Sequence, residues 1–370
     1  MVGGFITTGV SYKRLVQERW LRMDSQRSAS LLDGVDVVDM GAGFSGALAA
    51  RLLADLGASV TRVRESGEDD PFAASSAAYR LWRAQQPTVE CRIAGEADER
   101  LAVADVLITG GDDHPAVPDR DGAAEAAAAR HPRLVVLSIS GTAAGSERGA
   151  LPGNDLLAQA RSGLASEQFS DRPIAFGLRL PTYGAVLHGL IGLISALIAR
   201  DSTGQGDIVR TSLVQGAAGW LTPVWVRAEA PHPAMTGIIP KDVVWPIYQC
   251  ADGAWITYAQ GTAGSTQRIH EVLGLDASEG SASQRFRHSA ATSPERYFGV
   301  TPELAQRIST WNSSELLDAL VSVDVAAELV RAPGECWDDP QVTANGMIVK
   351  DSSGRERAGL PIRVETGESQ

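Results

Sequence analysis

A glycine-rich turn near the start of the chain carries a pattern that could bind a nucleotide. Residues 41–46 read Gly-Ala-Gly-Phe-Ser-Gly and match G-x-G-x-x-G. Such glycines allow a tight turn and close approach of the backbone to a pyrophosphate, whose charge the next helix N-terminus stabilises. The pattern predicts a phosphate-binding turn, and a glycine-rich strand-to-helix turn without a nucleotide is the alternative.

The position of the expected acidic partner does not decide between these two interpretations. A dinucleotide site needs an acid at the end of the second strand, about twenty residues after the motif. Arg64 occupies that position, and Glu65 follows on the other face of the strand. Arg64 could instead bind a 2′-phosphate. Nicotinamide or flavin binding therefore stays open.

The elements around the turn predict an α/β fold. Residues 35–65 form a β-α-β unit, since apolar runs at 35–40 and 59–63 flank a helical pattern. Strands alternate with helices up to about residue 141, which indicates a parallel, doubly wound sheet. From about residue 228 to 323 the composition shifts, and Asp252-Gly253 predicts a hairpin. We interpret that stretch as a second domain.

Composition excludes several classes of function. The net charge of −12 argues against binding nucleic acid or anionic membranes. Three widely spaced cysteines give neither a disulfide framework nor zinc spacing, so we expect no metal. The most apolar stretch, residues 184–199, contains His188 and predicts a buried helix. Its small residues Gly184, Gly189 and Gly192 predict close helix–helix packing. We expect a cytoplasmic protein.

Short segments spread along the chain form a second, longer pattern. They are residues 32–39 (LDGVDVVD), 52–58 (LLADLGA), 104–107 (ADVL), 132–135 (PRLV), 138–141 (SISG), 155–160 (DLLAQA), 162–164 (SGL), 203–206 (TGQG), 250–253 (CADG), 339–342 (DPQV) and 345–347 (NGM). In order and spacing they resemble the class III CoA-transferase family, which includes formyl-CoA transferase and α-methylacyl-CoA racemase. The resemblance covers roughly residues 31 to 365.

The resemblance implies an architecture, an assembly and a chemistry. It implies a large Rossmann-like domain with a parallel sheet from residues 31–227 and 326–370, after an extension at 1–30. A smaller α+β domain would span 228–325, and two chains would interlock as a homodimer. Transferases of the family attack an acyl-CoA thioester with an aspartate, giving a mixed anhydride and then an enzyme–CoA thioester. Racemases use an Asp and a His on the α-proton.

The resemblance also implies which residues would contact CoA. The ligand would be a CoA thioester bound as substrate. The family often carries positive charge at several of the contact positions, and that charge is missing here. The implied CoA contacts are Gly41, Gly43, Phe44, Ser45, Gly46, Arg62, Arg64, Gln86 and Ser140.

The implied catalytic positions carry unexpected residues. Thr182 corresponds to the catalytic aspartate and Asn154 to the racemase histidine, and neither side chain can be a carboxylate nucleophile. Thr182 could act as a nucleophile beside a base, or it could cap a helix that begins near Tyr183. Asn154 and Asp155 lie where a helix cap is expected, and Asp155 is interpreted as a cap or a hydrogen-bond acceptor. Glu167 or Asp171 could have taken over acid–base work.

We therefore predict an enzyme that acts on a small-molecule acyl-CoA thioester by altered chemistry. Its candidate catalytic residues are Thr182, Asn154 and Asp155. The alternatives are a divergent isomerase or lyase, a dinucleotide-binding enzyme, and a catalytically silent homologue.

Overall fold

A computed structural model describes most of the 370-residue chain. The described residues are 31–65, 70, 72, 76–84, 86–91, 94–111, 122–143, 153–166, 172–222, 247–259, 264–276, 302–350 and 354–362. The predicted extension at 1–30, the start of the predicted small domain, Glu167 and Asp171 all lie outside them.

Strands and helices alternate through the first part of the chain, as predicted. The strands are β1 (Asp36–Asp39), β2 (Ser59–Glu65), β3 (Thr88–Cys91), β4 (Val106–Gly110), β5 (Val135–Ser140), β6 (Ile208–Ser212), β7 (Ile247–Gln249), β8 (Trp255–Tyr258), β9 (Ala327–Leu329), β10 (Ile348–Lys350) and β11 (Glu356–Ala358). The helices are α1 (Gly43–Asp55), α2 (Ala77–Arg83), α3 (Ala94–Leu101), α4 (Ala123–Arg130), α5 (Asp155–Ser162), α6 (Leu180–Thr203), α7 (Leu213–Leu221), α8 (Ser265–Leu273), α9 (Pro302–Ile308), α10 (Ser313–Ser322) and α11 (Pro340–Ala344).

Six strands form one parallel sheet in the order β3-β2-β1-β4-β5-β6. Every residue of β5 is buried, as expected for a strand covered on both faces. Asp39, the last residue of β1, lies level with Arg62 of β2 and Ile108 of β4. The predicted α/β fold and its opening β-α-β unit are confirmed.

The chain divides into two compact units. One contains the described residues up to Met40, Ala47–Ile108 and those from Glu335 onward. The other contains Gly41–Gly46 and the described residues of Thr109–Gly334. The predicted domain boundaries stay a prediction.

Residues 247–329 contain an antiparallel sheet with a hydrophobic core. The strands pair in the order β7-β8-β9, and the predicted hairpin at Asp252-Gly253 joins the first two. Helices α8, α9 and α10 contribute Ile269, Leu304 and Leu316 to this core. The stacked rings of Tyr248 and Tyr258 lie within it, and burial raises the pKa of Tyr248.

Helix α6 is the longest helix of the described residues, and it packs beside α7, β5 and β6. Among those residues it is also the one helix long and apolar enough to cross a bilayer. A Cβ at Gly184 would come within 2.3 Å of the Gly216 carbonyl oxygen, so the backbones of α6 and α7 need glycine to meet. Gly189 and Gly192 instead face side chains of the sheet. The predicted helix–helix packing is therefore correct for Gly184 and wrong for the other two.

Candidate active site

The glycine-rich turn lies directly between β1 and α1. Gly43 has a φ of +76°, which side chains rarely adopt. A Cβ on Gly46 would lie 3.0 Å from the carbonyl carbon of Gly41, so this position leaves little room for a side chain. The Ala42 amide donates to the Gly110 carbonyl at 2.9 Å, which anchors the turn at the end of β4. The predicted strand-to-helix turn is therefore present, and its backbone favours glycine at positions 43 and 46.

An arginine that the sequence did not point to covers this turn. Phe44, buried in the first turn of α1, has the guanidinium carbon of Arg179 at 3.6 Å from its ring centroid. That distance is typical of cation–π stacking, which Arg favours. The contact brings a positive charge to a turn that carries no charged side chain of its own.

Asp155 and Thr182 form the most completely buried polar contact of the candidate site. Thr182 is 0% exposed, and both its amide and its hydroxyl donate to Oδ2 of Asp155, at 3.0 and 2.8 Å. Oδ1 of Asp155 accepts from Nε2 of Gln159 at 3.0 Å. The threonine hydroxyl is therefore a donor to a buried carboxylate, and both carboxylate oxygens are occupied.

Thr182 does not cap the helix, and that interpretation was wrong. Helix α6 begins at Leu180, earlier than expected, and its N-cap residue Arg179 makes no side-chain cap bond. Asp155, from the start of α5, accepts the first-turn amide of Thr182 instead. A carboxylate at that end also suits the helix dipole.

Asn154 caps the neighbouring helix α5. Its Oδ1 accepts from the amides of Leu156 and Leu157 at 2.9 and 3.2 Å, as expected for an N-cap asparagine. The predicted helix cap is confirmed for Asn154. A catalytic role for Asn154, Asp155 or Thr182 stays a prediction.

Gln159 belongs to the same site and was missed. It is buried, its Oε1 accepts from the Phe176 amide at 2.8 Å, and its Nε2 donates to the Phe176 carbonyl at 3.3 Å. It thereby ties α5 to the segment that leads into α6. Gln159 follows Asp155 by four residues, so the two side chains lie on the same face of α5, and this spacing could have predicted their contact.

Arg62 and Gln86, two of the implied CoA contacts, belong to a network in the other unit. Arg62 pairs with Asp70 at 2.9 Å, and Tyr79 donates to the same carboxylate at 2.8 Å. Arg83 binds the buried Asp39 and donates to Oε1 of Gln86 at 3.0 Å. Nε2 of Gln86 is buried and has no hydrogen-bond partner among the described residues.

The last two implied CoA contacts lie on strands. Arg64 is level with Glu90 in the pairing of β2 and β3. The Ser140 hydroxyl, at the end of β5, donates to the Thr142 carbonyl at 2.6 Å. Ser140 thus has a hydrogen-bond partner within the chain, and Arg64 has a neighbouring residue on β3. Contact of either residue with a ligand stays a prediction.

Comparison with known proteins decides the family. The sequence model of CoA-transferase family III matches residues 32–369. The chain belongs to this family. The implied membership of the class III CoA-transferases is thus confirmed.

Named relatives of this family III member are CoA-transferases. Succinyl-CoA--D-citramalate CoA-transferase of Chloroflexus aurantiacus is 26% identical over 353 residues, covering 88% of this chain and 85% of the relative. Succinate--glutarate CoA-transferase of Agrobacterium fabrum is 25% identical, covering 86% and 84%. A CaiB/BaiF family protein from Brucella suis has the same fold, with a TM-score of 0.71, 24% identity, and coverage of 92% and 93%.

We expect Asp155 and Thr182 to be energetically coupled. Asp155→Asn and Thr182→Val should each lower the free energy of unfolding by about 1–3 kcal/mol, because each leaves a buried polar group without its partner. The double variant should lose less than the sum of the two. Urea unfolding of the unchanged protein, the two single variants and the double variant measures this coupling. Ser322→Ala, at the exposed end of α10, is the control and should change stability by about 0.5 kcal/mol or less. Additive losses would contradict the coupling.

The Asp70 network should make stability depend on acid. Burial raises the pKa of Asp70, but hydrogen bonds from Tyr79 and Arg62 outweigh it and hold that pKa below its ordinary value. A lowered pKa stabilises the fold above the unfolded value of about 3.9, and this stabilisation is lost as the pH falls through the folded value. Asp70→Asn should therefore flatten the loss of stability between about pH 5 and about pH 2, measured by urea unfolding. Asp33→Asn, at an exposed site, should follow the unchanged protein. If the unfolding free energy of Asp70→Asn depends on pH as in the unchanged protein, Asp70 is not the source of this acid dependence.

Proposed function

We propose that this protein binds an acyl-CoA thioester and acts on it without the mixed-anhydride chemistry of its family. Membership of CoA-transferase family III supports the substrate class. The glycine-rich turn supports phosphate contact, and the unpartnered amide nitrogen of Gln86 supports an acceptor atom supplied by a ligand. D-Citramalate, succinate and glutarate, named for two relatives, are dicarboxylic acids, so we infer a small carboxylic acid as the acyl group.

The observation that carries the altered chemistry is the buried hydrogen bond from Thr182 to Asp155. We infer that Thr182 occupies the position of the family's nucleophilic aspartate. A carboxylate attacking a thioester forms an anhydride, which CoA can attack again. A threonine hydroxyl would form an ordinary ester, which is a poor acyl donor to a thiol. The 0% exposure of Thr182 supports a structural role for its hydroxyl.

Asp155 does not replace the missing nucleophile in this proposal. Its two oxygens accept from Thr182 and from Gln159, and its side chain is buried. An attack on a thioester would require those hydrogen bonds to break around a buried charge, which is costly. Asp155 therefore acts as the acceptor that fixes the start of α6.

We expect CoA and succinyl-CoA to stabilise the protein, and NADP and FAD not to. A ligand at a hundred times its dissociation constant adds about 2.7 kcal/mol, which a thermal shift detects. Intact-mass spectrometry with succinyl-CoA should find no covalent adduct on the unchanged protein. Thr182→Asp should acquire the mass of an enzyme–CoA thioester, because it restores a carboxylate. Thr182→Asn, of the same size without the acid, is the control and should remain unmodified.

Other outcomes would overturn the proposal. An enzyme–CoA adduct on the unchanged protein would show that another carboxylate performs the ordinary reaction. A shift with a dinucleotide alone would favour the dinucleotide-binding alternative. No shift with any CoA species would remove acyl-CoA as the substrate class.

We also propose that a second copy of the chain covers an apolar stripe on α6, as the implied homodimer requires. The stripe consists of Tyr183, Leu187, Ile191 and Ile198, which are between 40% and 68% exposed. These residues recur at helical spacing, and such a row on an exposed helix face is typical of an interface.

The assembly is tested by the mass in solution. Light scattering after gel filtration should give twice the chain mass of 39.0 kDa, and Ile191→Glu with Ile198→Glu should shift it toward the single chain. Val103→Glu places a charge at an exposed apolar residue elsewhere and should leave the mass unchanged. A single-chain mass for the unchanged protein would reject the homodimer.

A further inference from the structure

We propose that the side-chain amide of Gln86 donates to a neutral acceptor atom of the bound thioester, and not to one of its phosphates. This inference rests on the proposed binding of acyl-CoA and names the kind of ligand group that the residue selects. A neutral acceptor is an oxygen or a ring nitrogen without formal charge. CoA carries such atoms in its adenine ring, in its ribose hydroxyls and in the amide carbonyls of its pantetheine arm.

The amide of Gln86 is held in one orientation, and its nitrogen has no partner. Gln86 is 8% exposed, and its Oε1 accepts from Nη1 of Arg83 at 3.0 Å. Because a guanidinium only donates, the amide cannot exchange its oxygen and nitrogen at this contact. Among the described residues, Nε2 of Gln86 has no hydrogen-bond partner. A buried donor without an acceptor is costly, and an acceptor atom of a ligand removes that cost.

The charges of the network that contains Gln86 are already balanced. Arg83 pairs with Asp39, and Arg62 pairs with Asp70 at 2.9 Å. These four side chains are between 0% and 12% exposed, so salt screens them little. Two cations thus face two carboxylates, and the network offers a ligand a neutral donor.

This charge balance disfavours a phosphate at the amide nitrogen. Nη1 of Arg83 contacts both Oδ2 of Asp39 and Oε1 of Gln86. A carboxylate therefore lies close to the amide and would repel a phosphate that accepted from Nε2. Arg83 could offset this repulsion only by leaving its buried ion pair, which is strongly destabilising. A neutral acceptor is not repelled by the carboxylate.

Calorimetry with CoA and with dephospho-CoA, which lacks the phosphate on the ribose, tests the inference. Gln86→Met removes the donor at similar size and should weaken binding of both ligands equally, roughly tenfold, as loss of one hydrogen bond implies. Gln86→Glu keeps an oxygen for Arg83 and should weaken binding of both at least as much. Gln341→Met, the same change at an exposed glutamine of α11, is the control and should leave both affinities unchanged.

Salt separates a neutral acceptor from a phosphate. The ratio of the CoA dissociation constants of Gln86→Met and the unchanged protein should stay the same between about 50 mM and about 500 mM NaCl, because a neutral hydrogen bond is screened little. A ratio that falls with salt would assign the amide to a phosphate and overturn the inference. A loss of affinity for CoA that dephospho-CoA does not share would overturn it in the same way.

Two fragments of CoA locate the acceptor. A loss of affinity in Gln86→Met for the adenosine bisphosphate fragment assigns the acceptor to the adenosine end, and a loss for phosphopantetheine assigns it to the pantetheine arm. Either result, if independent of salt, supports the inference. Unchanged affinities in both Gln86→Met and Gln86→Glu would overturn it and leave acyl-CoA binding intact. If CoA does not bind to the unchanged protein, the proposed function itself fails.

Discussion

One carboxylate oxygen fixes the start of the long central helix. Oδ2 of Asp155 accepts both the amide and the hydroxyl of Thr182, in the first turn of α6. That helix has no acidic residue in its first turn and no side-chain cap of its own. Asp155 therefore supplies from α5 the negative charge that a helix N-terminus favours. The first turn of α6 is thus hydrogen-bonded to a side chain of a different helix.

The same contact explains why threonine suits position 182. A buried carboxylate is stable only when its oxygens are hydrogen-bonded, and Asp155 receives donors from Gln159 and Thr182. A second carboxylate at position 182 would bring two like charges together and raise the pKa of one of them. Threonine instead places a neutral hydroxyl there, which donates a hydrogen bond to the Asp155 carboxylate and adds no second charge. The chain thus gains a fixed helix terminus at the position where we infer that its relatives keep a reactive acid.

Local sequence patterns predicted the elements of the fold but not the contacts between distant segments. The glycines at 43 and 46 signalled the turn because their backbone requirements are local. The start of α6 was placed too late because Thr182 was taken as the cap, although Pro181 is suited to a first helical turn. The stacking of Arg179 on Phe44 joins residues that no periodicity relates. The bond from Gln159 to Phe176 likewise depends on tertiary structure.

If the chain binds CoA as proposed, ion pairs within the chain limit which arginines can contact the phosphates. Arg83 is paired with the buried Asp39, and Arg62 with Asp70. Removing one partner from a buried pair costs about 3–5 kcal/mol, so a phosphate cannot simply displace these carboxylates. Among the described residues, the buried amide of Gln86 is a further donor, and it is neutral. Neutral hydrogen bonds are less sensitive to salt than surface ion pairs. On the proposed function, a contact between CoA and this amide would therefore be less sensitive to salt than a contact with a surface arginine.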